Sequence, residues 1–241
     1  MNSLLLVILL IFIGQILGSL FGILKKPSTS FLHISLAFAA SMMLSISFIQ
    51  LIPESLKVTT LNSVIIALFS GAIIMGLIDK LLPHINPELS KKEKPSIKRS
   101  VTMLIIGMAL HNLPEGLAIG IGFALTTKLG IVIALGIALQ DLPENIATIV
   151  PLYGMNKKRL KSFLILMATV LFELIGFFIG FYFFKIASLN LLGIFLSFAA
   201  GVMIYISVEE LIPAAEISKS PLLSGVSISL GILIVLATNF I

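Results

Sequence analysis

The sequence predicts an all-α integral membrane protein of eight transmembrane helices, in which an inverted repeat of helices 1–3 against helices 6–8 flanks broken helices 4 and 5. Three observations predict it. The 241 residues are 58% hydrophobic and 11% charged, with mean hydropathy +1.16, too apolar for a soluble domain of that length. The apolar runs are about 20 residues long, enough to cross a bilayer as helices, and none alternates at period two as a β-barrel strand would. Phe38 to Pro53 also realigns with Phe198 to Pro213 at an offset of 160, with nine of 16 positions identical and no gap.

Each span follows from an apolar run and the polar punctuation that ends it. Span 1, Ser3–Leu24, has neither a basic n-region before it nor a small-residue cleavage site, so it reads as retained rather than as a signal peptide. Lys25-Lys26-Pro27 closes it, and span 2, Phe31–Ile52, stops at Pro53. Span 3, Leu61–Leu82, gives way to a lysine-rich loop from Pro83 to Arg99. Spans 4 and 5, Ser100–Phe123 and Leu129–Leu152, are separated by Thr126-Thr127-Lys128. Span 6, Leu160–Phe184, follows the Asn156–Arg159 break, and span 7, Leu191–Ile212, follows Ser188-Leu189-Asn190. Span 8, Leu222–Phe240, begins after Pro221, and all eight read as one domain over 1–241. The repeated phrases fall on spans 2 and 7, which cross in opposite senses, hence the inverted repeat, a pattern of secondary transporters.

Charge orients the bundle. The loops 1–2, 3–4, 5–6 and 7–8, with their helix ends, carry 13 Lys and Arg residues; the other side carries Lys57, Lys128 and Lys185. Positive charge stays on the cytoplasmic face, so both termini are expected outside, in a multi-pass protein of the cytoplasmic membrane. The net charge of +5 is spread over these short loops and is no nucleic-acid footprint. The absence of cysteine excludes disulfides, thiolate metal sites and cysteine catalysis.

Two copies of one polar phrase interrupt the apolar pattern: His111-Asn112-Leu113-Pro114-Glu115 and, 29 residues on, Gln140-Asp141-Leu142-Pro143-Glu144. Spans 4, 5 and 6 hold Glu115, Asp141, Glu144 and Glu173, with no lysine or arginine in their cores. Four uncompensated carboxylates in a low-dielectric setting need protons, or two divalent cations whose charge matches theirs. His111 and Glu115 are four apart and share a helix face, with Asn112 on an adjacent edge. Pro114 and Pro143 release the carbonyls of Leu110 and Leu139, which in a membrane must face protein, water or an ion. An isolated proline reads as a plain kink; beside a glutamate, twice, the pair reads as a site. One imidazole, several carboxylates and a candidate thioether suit a borderline divalent ion, zinc first, whereas an all-oxygen set would favour Mg²⁺ or Ca²⁺. Because such ligands bind metal deprotonated, protons are expected to leave as metal arrives. Glu209 and Glu210 at the cytoplasmic end of span 7, and His33 at the cytoplasmic start of span 2, read equally as interface anchors or as a cytoplasmic exit site. Glu54 and Asp79 read as helix-end charges, and Met42 and Met43 as core residues by default.

In these residues the chain resembles the ZIP (Zrt-, Irt-like protein) family of divalent-metal transporters, and specifically its GufA-like branch. His111-Asn112-Leu113-Pro114-Glu115-Gly116 is similar to the family's helix-4 signature, and Gln140-Asp141-Leu142-Pro143-Glu144 resembles the GufA-type helix-5 motif rather than His-Glu-x-Pro-His-Glu. The resemblance covers the whole chain and implies a two-metal site. Glu115 and Glu144 would bridge the ions; His111, Gln140 and Met43 would complete the transport position; Asn112, Asp141 and Glu173 the other. It further implies Zn²⁺ as substrate, with Cd²⁺, Fe²⁺, Mn²⁺ and Co²⁺ as alternatives, an elevator-like movement of one helix bundle against another, and a homodimer. Three positions depart from the family pattern. Asn145 stands where glycine usually follows the second Pro-Glu, the 83–99 loop has only His84 where many relatives have a histidine-rich segment, and His33 stands where relatives can carry an acidic residue. Two rivals to a zinc carrier bringing metal into the cytoplasm remain. One is a passive metal channel; the other is an intramembrane dinuclear metalloenzyme, which the lack of a His-Glu-x-x-His motif disfavours.

Overall fold

The structure, a computed structural model, describes residues 3–25, 27–81, 97–238 and 240. Among these residues there is no strand, and eight helices are long and apolar enough to cross a membrane. They are α1 (Ser3–Leu24), α2 (Thr29–Val58), α3 (Leu61–Leu81), α4 (Ile97–Leu125), α5 (Thr127–Asn156), α6 (Arg159–Tyr182), α7 (Leu189–Lys219) and α8 (Pro221–Thr238). Most of the 83–99 loop, including His84, lies outside the described residues.

Three helices begin two residues before their apolar runs, for one reason. Ser28, Thr126 and Ser188 each accept a hydrogen bond from the backbone N–H three residues on, at 3.2, 3.1 and 3.3 Å. The hydroxyl satisfies a donor that the helix cannot, so the helix starts at the cap rather than at the first apolar side chain.

The prolines act differently from the sequence expectation. Helices α4 and α5 are not broken: Pro114, Pro143 and Pro151 lie inside continuous α-helix. Each proline removes a single N–H, and the bonds on either side carry the helix through. Similarly, α2 and α7 do not stop at Pro53 and Pro213. Each passes through a π-helical turn, Ile46–Leu51 and Ser207–Leu211, and resumes as α-helix at Ile52 and Ile212. The wider turn takes the ladder from i→i+4 to i→i+5 just where the proline would meet a carbonyl. Ser47 and Ser207, matched across the repeated phrase, donate to the carbonyls of Met43 and Met203 at 2.9 and 2.8 Å.

Helices α4 and α5 form the centre. The most hydrophobic stretch of α5 is 72% buried, against 22% for α3 and α8, which face outward. The most extensive pairings are α4 on α6, α1 on α5, α2 on α7 and α3 on α7, followed by α2 on α8 and α4 on α5. With hydrocarbon as solvent there is no hydrophobic drive between helices, so close backbone approach carries association. Gly14 and Gly18 place α1 directly against the carbonyls of Ala138 and Leu142, and Gly116 and Gly120 place α4 against those of Glu173 and Phe177.

Candidate metal centre

The middle of the α4–α5 hairpin carries a buried polar cluster within an apolar bundle. His111, Asn112, Glu115, Gln140, Asp141, Glu144 and Asn145 are each no more than 4% exposed, and Glu173 on α6 is fully buried. Ile119, Ile121, Ile133 and Ile137 lie between this cluster and the hairpin turn, and Met108, Ile149 and Leu152 lie on its other side. The polar groups thus lie buried between apolar layers, where the dielectric is low.

Glu115, Asp141 and Glu144 bring one oxygen each to within 4.8 Å of one another. Ligand atoms on a shared Zn²⁺ stand about 3–4 Å apart, given bonds of about 2.0–2.2 Å, so closure by roughly 1 Å suffices. Helix periodicity explains the convergence on α5, where Asp141 and Glu144 are three apart and occupy one face. Glu115 reaches across from α4.

The histidine is prepared as a ligand. His111 Nδ1 lies 3.2 Å from the carbonyl of Gly107, which can only accept, so Nδ1 carries a hydrogen and Nε2 is the nitrogen turned to the acids. Nε2 has no hydrogen-bond partner and lies 3.8 Å from Glu144 Oε1 and 3.4 Å from Glu210 Oε2.

The amides fix the remaining members. Gln140 Nε2 donates to Glu115 Oε1. Asn112 Nδ2 donates to the carbonyl of Thr169 at 3.0 Å, with Thr169 Oγ1 at 3.4 Å and Gln15 Oε1 at 3.5 Å. Gln15 Nε2 donates to Glu173 Oε2. Asn145 Nδ2 donates to the carbonyl of Asp141 at 2.9 Å, and its Oδ1 has no partner. The oxygen at this non-glycine position therefore stays available, and Gly18 on α1 makes the room, its own Cβ position falling 3.0 Å from Asn145 Cβ.

One feature unites the cluster. Glu115 Oε2, Gln140 Oε1, Asp141 Oδ2, Glu144 Oε2, Glu173 Oε1 and Glu210 Oε1 are buried without a hydrogen-bond partner. Buried polar atoms are ordinarily satisfied, because each orphan costs about 1–3 kcal/mol and more when charged. With Asn145 Oδ1 these are seven orphan oxygens beside one unpartnered imidazole nitrogen, a donor-poor set that a divalent cation complements.

The remaining candidates lie on α2, α3 and α7. Met43 is fully buried in the apolar core. Glu210 reaches inward to His111, whereas Glu209 is exposed. His33 pairs with Glu216 at 3.1 Å rather than with either of them. Asp79 accepts from Tyr205 Oη at 3.3 Å, joining α3 to α7. Sequence reasoning passed over Gln15 and Thr169. Gln15 had a signal, as the one amide in an otherwise apolar span 1; Thr169 had none.

The family model described as ZIP Zinc transporter matches residues 88–239. The chain is 32% identical to the Zinc transporter ZupT of Salmonella heidelberg (strain SL476) over 216 residues, covering 85% of this chain and 82% of that one. The Zinc transporter ZupT of Salmonella newport (strain SL254) matches with the same identity and coverage. With eight membrane-length helices, a carboxylate–histidine centre on α4 and α5 and these relatives, the chain belongs to the ZIP zinc transporter family.

Proposed function

We propose that the protein is a carrier that brings Zn²⁺ into the cytoplasm across the cytoplasmic membrane, with both termini outside. Cd²⁺, Fe²⁺, Mn²⁺ and Co²⁺ are alternative substrates. The observation that carries this reading is the convergence of orphan carboxylate oxygens on Glu115, Asp141 and Glu144 beside His111 Nε2. Relatives named as zinc transporters support it. Glu115 and Glu144 bridge two metal positions, one completed by His111, Gln140 and Met43, the other by Asn112, Asp141 and Glu173. Assignment to the GufA-like branch and a homodimeric assembly belong to the same proposal.

An elevator-like movement has its own support. The close backbone approaches at glycine join α1, α4, α5 and α6 to one another, and α2, α3, α7 and α8 to one another. Where the two groups meet, a Cβ on Gly136 of α5 would meet only the side chain of Ile46 on α2, at 3.0 Å. Interlocked backbones move together, while a boundary of side chains can slide. The pairings α1–α5, α2–α8 and α2–α5 also exchange with α6–α4, α7–α3 and α7–α4 when helices 1–3 are swapped for 6–8, as an inverted repeat requires.

Competition uptake into proteoliposomes tests the proposal. Unlabelled Zn²⁺ should compete best against labelled Zn²⁺, and Mg²⁺ least, because imidazole favours the borderline ion. Flux should saturate at low turnover; flux linear in metal concentration at high rates would establish the channel instead. Proteolysis or hydrolysis by the purified protein would point to the dinuclear enzyme.

Glu210 extends the path from His111 toward the exposed Glu209. Glu210→Ala is expected to slow uptake roughly tenfold and Glu209→Ala much less, since only the buried carboxylate meets the imidazole. Initial uptake rates at saturating Zn²⁺ check this, and equal effects would remove Glu210 from the path.

A further inference from the structure

Gln15 belongs to neither polar phrase, yet it uses both halves of its amide on the centre. It is fully buried in the middle of α1. Its Nε2 donates to Glu173 Oε2, and its Oε1 accepts from Asn112 Nδ2 at 3.5 Å. Gly14 and Gly18 flank it and bring α1 against the backbone of α5, so the amide sits inside the bundle rather than against lipid. Gln140 stands in the same relation to Glu115, which its Nε2 caps.

The chemistry of an empty carrier gives this arrangement a purpose. When a cation leaves, its carboxylate ligands stay behind in a low-dielectric layer with no lysine or arginine in the cores of α4, α5 and α6 to meet them. An amide donor restores part of the lost interaction without introducing a charge. Because that donor is neutral, a divalent cation displaces it. A lysine there would compete with the metal, and a leucine would leave the carboxylate bare.

We infer that Gln15 is a positioning residue that caps Glu173 once metal has left, and thereby sets how fast the empty carrier returns. The inference rests on the carrier reading above and concerns one limb of its cycle. Net uptake requires the empty return. Metal-for-metal exchange does not, because the carrier then travels loaded in both directions.

Gln15→Met keeps an unbranched side chain of similar length and removes the amide. In proteoliposomes its net uptake of labelled Zn²⁺ into metal-free vesicles should fall roughly tenfold or more, within the range for residues that orient metal ligands. Exchange of labelled against unlabelled Zn²⁺ should continue near the wild-type rate, which also demonstrates insertion and folding. Gln15→Asn, too short to reach Glu173 and Asn112 together, should show the same split and serves if the methionine variant does not insert. An equal fall in both fluxes, or a fall in neither, overturns the inference while leaving the carrier intact. A wild-type protein without exchange overturns the carrier reading and the inference with it.

Discussion

Glu144→Ala should abolish metal uptake while the protein still inserts and purifies as the wild type does. Glu144 is the one acid that meets both halves of the centre: it lies 3.8 Å from His111 and within the 4.8 Å cluster of Glu115 and Asp141. Removing it leaves the imidazole and the α4–α5 carboxylates without a shared ligand, and uptake is expected to fall on the order of a hundredfold. Stability should move the other way. Glu144 holds one buried oxygen with no partner beside two further carboxylates, so its loss relieves more repulsion and desolvation than the 3.8 Å approach to His111 supplies. The metal-free variant should therefore melt no lower than the wild type, as when a site is held at the expense of stability. The signature is in the ligand response. Saturation a hundredfold above Kd stabilises a folded protein by about 2.7 kcal/mol, and the variant should show little of it in a thermal scan with Zn²⁺. Unimpaired uptake, or an undiminished thermal response, would remove Glu144 from the centre.

How much of this was legible beforehand differed by type of signal. The eight spans were legible because hydrocarbon excludes unsatisfied backbone and charge, which writes helices into the sequence as apolar runs. Their starts were not, because Ser28, Thr126 and Ser188 begin helices by hydrogen bonding and not by hydropathy. The prolines misled in both directions: those at 114 and 143 leave α4 and α5 whole, and those at 53 and 213 follow π turns that span boundaries cannot reveal. In the centre, spacing along one helix placed Glu115 with His111 and Asp141 with Glu144. It could not supply Gln15, Thr169 or Glu210, which reach the cluster from α1, α6 and α7 through tertiary packing. The grouping of His33 with Glu209 and Glu210 rested on equal depth, and depth says nothing of azimuth: α2 turns His33 toward Glu216, and α7 turns Glu210 toward His111.

Gly116→Ala is expected to cost about 3 kcal/mol of stability and, with it, the metal centre. A methyl group is the smallest side chain that can be added, yet here its carbon would overlap the carbonyl of Glu173 and fall 2.9 Å from the amide nitrogen of Phe177. Those are backbone atoms, which cannot rotate aside as a side chain can. The reciprocal approach repeats the constraint, since a Cβ at Gly176 would sit 2.9 Å from the nitrogen of Leu117. Relief therefore requires α6 to move away from α4, and that motion separates Glu115, one residue before the substitution, from Glu173, at its point of contact. Denaturant unfolding should show the loss of stability, and Zn²⁺ titration of the surviving fold a weakened affinity. Gly225 on α8 is the control, because nothing lies within 4 Å of its added carbon. Gly225→Ala should be neutral or stabilising by up to about 1 kcal/mol, the ordinary gain from replacing a helical glycine. Two identical chemical changes with opposite signs would locate the effect in the helix contact and not in glycine as a residue. Equal stability of the two variants would sink the close α4–α6 approach on which the position of Glu173 depends.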